Sequence, residues 1–223
     1  WRPTHLANAM QVLAAGPDAY FSDWSSFNLP HATNFQQHGK LAPSQLTQIS
    51  SKPDGYELGV SPIEHITCDG GGVIQTSTVV YRFSKYPQLR FREEFFNGQD
   101  FFFWMDLGEL GARFAFSIEV DCHNGEGVNI YQSAGWGTER SLHRLRNELF
   151  VWTSVRRIYK LTHSQRANNL KTIRNLEAGV VRDVLHRLRR RKPIMFRLLI
   201  DIVGFDPFFP FIAATLPLRL LCR

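Results

Sequence analysis

At 223 residues, with 43% apolar and 13% aromatic content, the chain is long enough to bury a core and too apolar to be a disordered tail. Three cysteines, Cys68, Cys122 and Cys222, lie too far apart for a disulfide framework or a repeated zinc-ligand spacing, and a reducing compartment suits them. The formal charge of +6 sits unevenly: residues 1–136 carry 8 Lys/Arg against 14 Asp/Glu, residues 137–192 carry 15 against 4, and residues 193–223 carry 3 against 2. A basic segment of that kind points to a polyanion or an anionic membrane as partner, the plain alternative being a solvated basic face.

Residues 2–15 contain no acid and are rich in Ala and Leu. They read either as the remnant of an organelle-targeting stretch or as an amphipathic helix capped by Thr4 and ended by Gly16-Pro17. Ser22 to Asp54 follows with neither helical nor strand periodicity, and about thirty such residues are unusual inside a compact domain. Residues 1–55 are therefore expected to form a helix and an extended arm. Trp24, Phe27, Leu29, Phe35, Leu41 and Leu46 would pin that arm to its own domain or to a neighbouring protein.

From Tyr56 the pattern has period two, with strands expected at 56–60, 63–68, 73–83, 88–96, 99–107, 112–121 and 128–134. At the centre, two apolar-rich runs flank Asn97-Gly98, a strong hairpin signal. Pairing parity favours a three-residue, bulged connection, because a two-residue turn would place Arg90, Arg92 and Glu94 beside Phe101, Phe103 and Met105. In the bulged register Arg90 and Arg92 face Phe102, Trp104 or Asp106, where cation–π contact and ion pairing are available. Glu93 then points inward among phenylalanines. In the run 112–121, Ala112, Phe114, Phe116, Ile118 and Val120 share the dry face.

After Gly135 and Gly137 the spacing becomes helical. Leu142, Leu145, Leu149, Trp152, Val155 and Tyr159 form one stripe, capped by Thr138 or Ser141. A soft break at Thr162 to Gln165 precedes a second stripe of Leu170, Ile173, Leu176, Val180, Val184, Leu185 and Leu188. That helix ends in Arg187-Leu188-Arg189-Arg190-Arg191-Lys192, and Pro193 stops it. Residues 193–223 are the most apolar part of the chain. Arg197, Asp201, Asp206 and three prolines leave no uncharged run near the roughly 20 residues of a spanning helix, so this tail is expected in a membrane interface, in a partner's groove or back on its own domain.

Catalytic and cofactor signals are weak. His65 and Cys68-Asp69 could meet Asp121-Cys122-His123 as zinc ligands, but neither stretch has a close thiolate pair. Glu93 is the best acid–base candidate, through desolvation of its carboxyl. Asp69-Gly70-Gly71-Gly72 precedes a strand rather than a helix, which removes the usual anion site, and Gly135-Trp136-Gly137 with Arg140 has better geometry without matching a motif. The strongest signal is the basic run Arg187, Arg189, Arg190, Arg191 and Lys192, suited to anionic lipid or RNA, next to a tail whose Phe205, Phe208, Phe209 and Phe211 suit a membrane or a partner protein. Phe102 and Trp104 keep base stacking with RNA open.

The expected fold is α+β: a curved antiparallel meander of six or seven strands, open or closed into a barrel, packed against long C-terminal helices, with segments 1–55, 56–192 and 193–223. The expected function is a non-catalytic accessory subunit of a large organellar assembly, a mitochondrial membrane complex peripheral to the inner membrane or a ribosome. It would bind other protein subunits, with no cofactor and no small-molecule substrate. The alternative is a carrier of lipid or another small hydrophobic ligand that docks on anionic membranes.

Overall fold

The fold is that of a computed structural model, which describes residues 1–26, 29–35, 41, 46–69, 72–125, 131 and 134–221. In chain order the described elements are α1 (His5–Ala14), β1 (Ala19–Ser26), β2 (Leu29–Thr33), β3 (Gln48–Ser51), β4 (Asp54–Glu57), α2 (Pro62–Asp69), β5 (Val80–Tyr81), α3 (Gln99–Glu109), β6 (Phe114–Asn124), α4 (Ser141–Ile158), α5 (His163–Arg189), α6 (Phe196–Phe205) and α7 (Phe209–Leu221). They form two compact units, residues 1–92 with 100–127, and residues 93–99 with 128–223.

In the first unit the apolar run at the start of β6 lies in the middle of the sheet. It pairs in parallel with β1 and antiparallel with β4, giving the order β2-β1-β6-β4-β3, with β5 against the other end of β1. Successive side chains alternate between faces. Tyr20 and Ala115 meet Ala9, Val12 and Leu13 of α1. Phe21 and Phe116 stack on the opposite face with ring centroids 5.5 Å apart, joined by Phe35 and Tyr56. Gly55 lets α1 approach β4, because a Cβ there would stand 2.9 Å from Val12 Cγ2.

The class is α+β, but the sheet is mixed and open rather than an antiparallel meander or barrel. The largest correction concerns the segment read as an arm. Its first strand, β1, lies beside β6, and buried Ser22 and Asp23 hide it from a hydrophobicity pattern. Asp23 Oδ1 accepts from Trp24 N at 2.8 Å and Phe35 N at 3.1 Å, so the carboxylate is satisfied by backbone where an apolar residue would be expected. Phe35 docks on the chain's own sheet. Phe27 lies outside the described residues, as do Gly70, Gly71 and most of the strand expected at 128–134.

The hairpin at Asn97-Gly98 does not form, with or without a bulge. Residues 99–109 are helical and residues 88–96 contain no strand. Phe102, Phe103, Trp104, Met105 and Leu107 are all buried, so the run is apolar on nearly every side of a helix, a pattern that periodicity does not separate from a buried strand. The contacts anticipated for Arg92 still arise, from loop to helix. Its guanidinium donates to both oxygens of Asp106 at 3.0 Å and lies 5.8 Å from the Phe102 ring centroid. Residues 63–68, expected as a strand, lie in helix α2: Pro62 opens the helix, and Ser61 Oγ accepts from Glu64 N at 3.1 Å. In β6 the dry-face alternation stops at Ser117, where the register against β1 shifts and Ile118 turns outward.

The second unit follows its stripes except at the end of α5, where Leu185 and Leu188 are exposed. Leu142, Leu145 and Leu149 of α4 pack on Ile173, Val180 and Val181 of α5. The break between the helices is a reciprocal cap: Thr162 Oγ1 accepts from Gln165 N, and Gln165 Oε1 accepts from Thr162 N at 2.9 Å. Leu198, Ile202 and Phe209 of α6 and α7 complete that core.

Candidate functional site

Three groups of polar residues have the composition of a site. The first lies between α1 and the sheet. Asn8 Nδ2 donates to Asp121 Oδ1 at 2.9 Å, and the Tyr20 hydroxyl donates to Asp121 Oδ2 at 3.0 Å and lies 2.7 Å from Ser117 Oγ. His5 Nδ1 is 3.7 Å from Asp121 Oδ2. Burial pushes the His5 pKa down against the pull of Asp121, and burial also drives the Tyr20 phenol up. His5, Tyr20, Ser117 and Asp121 are all buried, so this network serves the packing of α1 and gives a substrate no approach.

The other chemical candidates are dispersed. Glu93 is exposed in a loop, not among phenylalanines. His65 and Cys68 lie on α2 while Asp121, Cys122 and His123 end β6, and among the described residues no three His, Cys, Asp or Glu side chains converge. Phe102 and Trp104 are core residues, which removes the expected stacking platform. A cleft of about 410 Å³ in the second unit is lined by Phe96 and Tyr131 of loops and by Arg140, His143 and Asn147 at the start of α4.

The basic run resolves into two parts. Arg187 is only 2% exposed. Its Nε donates to Asp183 Oδ2 at 2.6 Å, and its terminal nitrogens donate to the carbonyls of Thr138 at 2.8 Å, Glu139 at 3.1 Å and Pro193 at 3.2 Å, and to Ser141 Oγ at 3.2 Å. Ser141 Oγ in turn donates to Asp183 Oδ1 at 2.6 Å. Arg187 is thus a structural tie between the end of α5 and the turn before α4, not a polyanion contact. Lys192 reinforces it, donating from Nζ to Gly137 O at 2.7 Å. The Gly135-Trp136-Gly137 turn therefore offers its Gly137 carbonyl to a cation of its own chain.

Arg189, Arg190 and Arg191 remain exposed. They occupy a helix stop of Schellman type, in which Lys192 N donates to Arg187 O at 2.9 Å and Arg191 N to Leu188 O at 3.1 Å. Arg191 takes the left-handed position, φ 53°, which glycine usually fills. A side chain there costs about 1 kcal/mol. The helix thus ends at this turn, before Pro193.

Five residues beyond Arg191 begins a helix that is apolar on two sides. Leu198 and Ile202 of α6 face the core, while Phe196 and Ile200 on the far side are 69% and 71% exposed. Helix α7 repeats this: Phe209 is buried, and Phe208 and Phe211 flank it at 69% and 72% exposure. Phe205 is half-buried, its ring 5.2 Å from that of Phe150. The tail Phe residues therefore divide, with Phe205 and Phe209 inside and Phe208 and Phe211 outside. No single helix among the described residues is long and apolar enough to cross a membrane, and α6 and α7 meet at a bend of 119°.

Comparison with protein-family models, with curated proteins and with solved structures gives no match. Function therefore rests on the surface just described. Periodicity could show that the tail is apolar, but not which phenylalanines face outward, because both faces of α6 carry the same residue types.

Proposed function

We propose that the chain is a non-catalytic accessory protein that docks on an anionic membrane surface, by inserting the outer face of α6–α7 into the headgroup region. The observation that carries this reading is the double-sided α6: large apolar helix faces are normally buried, and here Phe196 and Ile200 are open. Exposed Arg189, Arg190, Arg191 and Arg197 stand beside it in sequence and suit anionic headgroups. Neither helix of the pair is long and apolar enough to cross a membrane alone, and the 119° bend between them suits an element lying in the interface. Keeping arginine at the left-handed position of the α5 stop, where glycine relieves strain, supports a use for that charge. Membership of a larger mitochondrial inner-membrane assembly extends the same proposal.

Flotation with phosphatidylcholine vesicles, with and without phosphatidylserine, tests this reading. Binding is expected only with the anionic lipid, and to weaken as salt is raised. The combined variant Arg189→Gln, Arg190→Gln, Arg191→Gly removes about 1 kcal/mol per charge, a loss of roughly 100-fold in affinity. Glycine at 191 keeps the unfolding midpoint from falling. Unchanged binding by this variant contradicts the reading.

A further inference from the structure

The second unit buries two carboxyl groups against each other. Glu177 lies in the middle of α5 and Asp206 joins α6 to α7. Both are buried and within hydrogen-bonding reach of each other, across the seam between α5 and the hairpin. Glu177 Oε2 and Asp206 Oδ2 have no hydrogen-bond partner. Two carboxylates so placed repel when both are ionised, whereas one proton between them makes a hydrogen bond.

The surroundings determine which state holds. Arg156 of α4 and Arg174 of α5 face the pair and favour ionisation. On α6 the other acid, Asp201, is engaged by Arg146 at 3.6 Å, and the described side chains of α7 carry no charge. Burial and the neighbouring Asp206 outweigh the arginines, and the Glu177 pKa is pushed up to about 8.

We propose that Glu177 and Asp206 form a proton-operated latch, which holds the α6–α7 hairpin on α5 while they share a proton and frees it when both ionise. The sign follows from linkage. In a freed hairpin Glu177 returns toward its ordinary value of 4.5, so the closed form is most favoured below that pH, weakens as pH rises, and is weakest above about 8. Release exposes Leu198, Ile202 and Phe209 in addition to the outer face. Binding to anionic vesicles therefore strengthens with rising pH, whereas the falling positive charge of the protein acting alone would weaken it. The consequence for vesicles rests on the membrane reading, while the latch is a property of the free protein.

Two measurements separate these. In the free protein, amide hydrogen exchange in 196–205, corrected for intrinsic rates, is expected to lose protection between about pH 6 and pH 8, by at most about tenfold per unit. Glu177→Gln, which keeps a neutral donor for Asp206, is expected to hold protection flat. Asp206→Asn, which removes the second acid but leaves Glu177 buried, is expected to reduce the pH dependence, and serves should Glu177→Gln not fold. Protection that does not change with pH in the native sequence, or a pH dependence that survives both substitutions, overturns the latch. In flotation with phosphatidylserine-containing vesicles, native binding is expected to rise over that range and Glu177→Gln binding to stay level. A pH-dependent exchange pattern with no vesicle binding at any pH leaves the latch standing and overturns the membrane reading alone.

Discussion

Replacing Asp183 with alanine is expected to lower the unfolding free energy by about 3–5 kcal/mol, because it strands a buried charge. Arg187 has Asp183 as its carboxylate partner, and its other acceptors are carbonyls and one hydroxyl. Those dipoles orient the guanidinium without neutralising it. The same substitution removes one acceptor of Ser141 Oγ, which keeps the Thr138 carbonyl as acceptor and Arg187 as donor. Since this cluster ties the turn before α4 to the end of α5, the loss should appear as a lower urea midpoint for the second unit. Replacing both partners, Arg187→Met with Asp183→Leu, is expected to recover part of the loss, as apolar substitutes for a buried ion pair commonly do. Recovery stays incomplete, because the Glu139 and Pro193 carbonyls lose the guanidinium as donor. A loss below about 1 kcal/mol for Asp183→Ala would show that water reaches Arg187, and would return it to the group of surface cations.

Removing the outer apolar face should abolish membrane binding while leaving the fold intact. Changing Phe196, Ile200, Phe208 and Phe211 together to serine takes away side chains that are each worth at least about 1.5 kcal/mol when buried, or about 6 kcal/mol in total. That is roughly a 10⁴-fold loss of affinity, beyond the range of a flotation assay. All four are exposed, so the circular dichroism spectrum and thermal midpoint should hold or improve. Intact binding by this variant would move the docking surface elsewhere. Collapse of the fold would mean that these side chains pack inside.

Helices α4 and α5 were legible because a 3.6-residue stripe over four or five turns has no competing reading, whereas residues 193–223 read only as an apolar tail and not as α6 and α7. Leu142, Leu145, Leu149, Ile173 and Val180 all reached the core. The first unit was opaque for identifiable reasons. Helix α3 is buried on nearly all sides, so Phe102 to Leu107 lack the periodicity that marks a helix. Strand β1 is central yet carries Ser22 and Asp23, whose burial is compensated by hydrogen bonds that no hydropathy pattern encodes. Helix α2 had a readable start in Ser61-Pro62-Ile63-Glu64, a cap and a first-turn proline with an acid at the third position, but the apolar alternation after it suggested a strand.

The surface divided in the same way. The basic run and apolar tail were visible as composition, while their roles depend on side-chain direction. One residue separates buried Arg187 from exposed Arg189, and one separates buried Phe209 from exposed Phe211. The Glu177–Asp206 pair was invisible, because two acids 29 positions apart carry no mutual signal until α7 folds back on α5.

A nitroxide at Gly204→Cys, with serine at Cys68, Cys122 and Cys222, reads the depth of the hairpin directly. Gly204 lies on α6, and a Cβ there would meet no heavy atom within 4 Å, so the label removes no contact. With phosphatidylserine-containing vesicles, the label should become accessible to oxygen and shielded from a water-soluble relaxation agent, at a depth of about 5–10 Å below the headgroups. A label that stays as accessible to the aqueous agent with vesicles as without them contradicts membrane docking by this face.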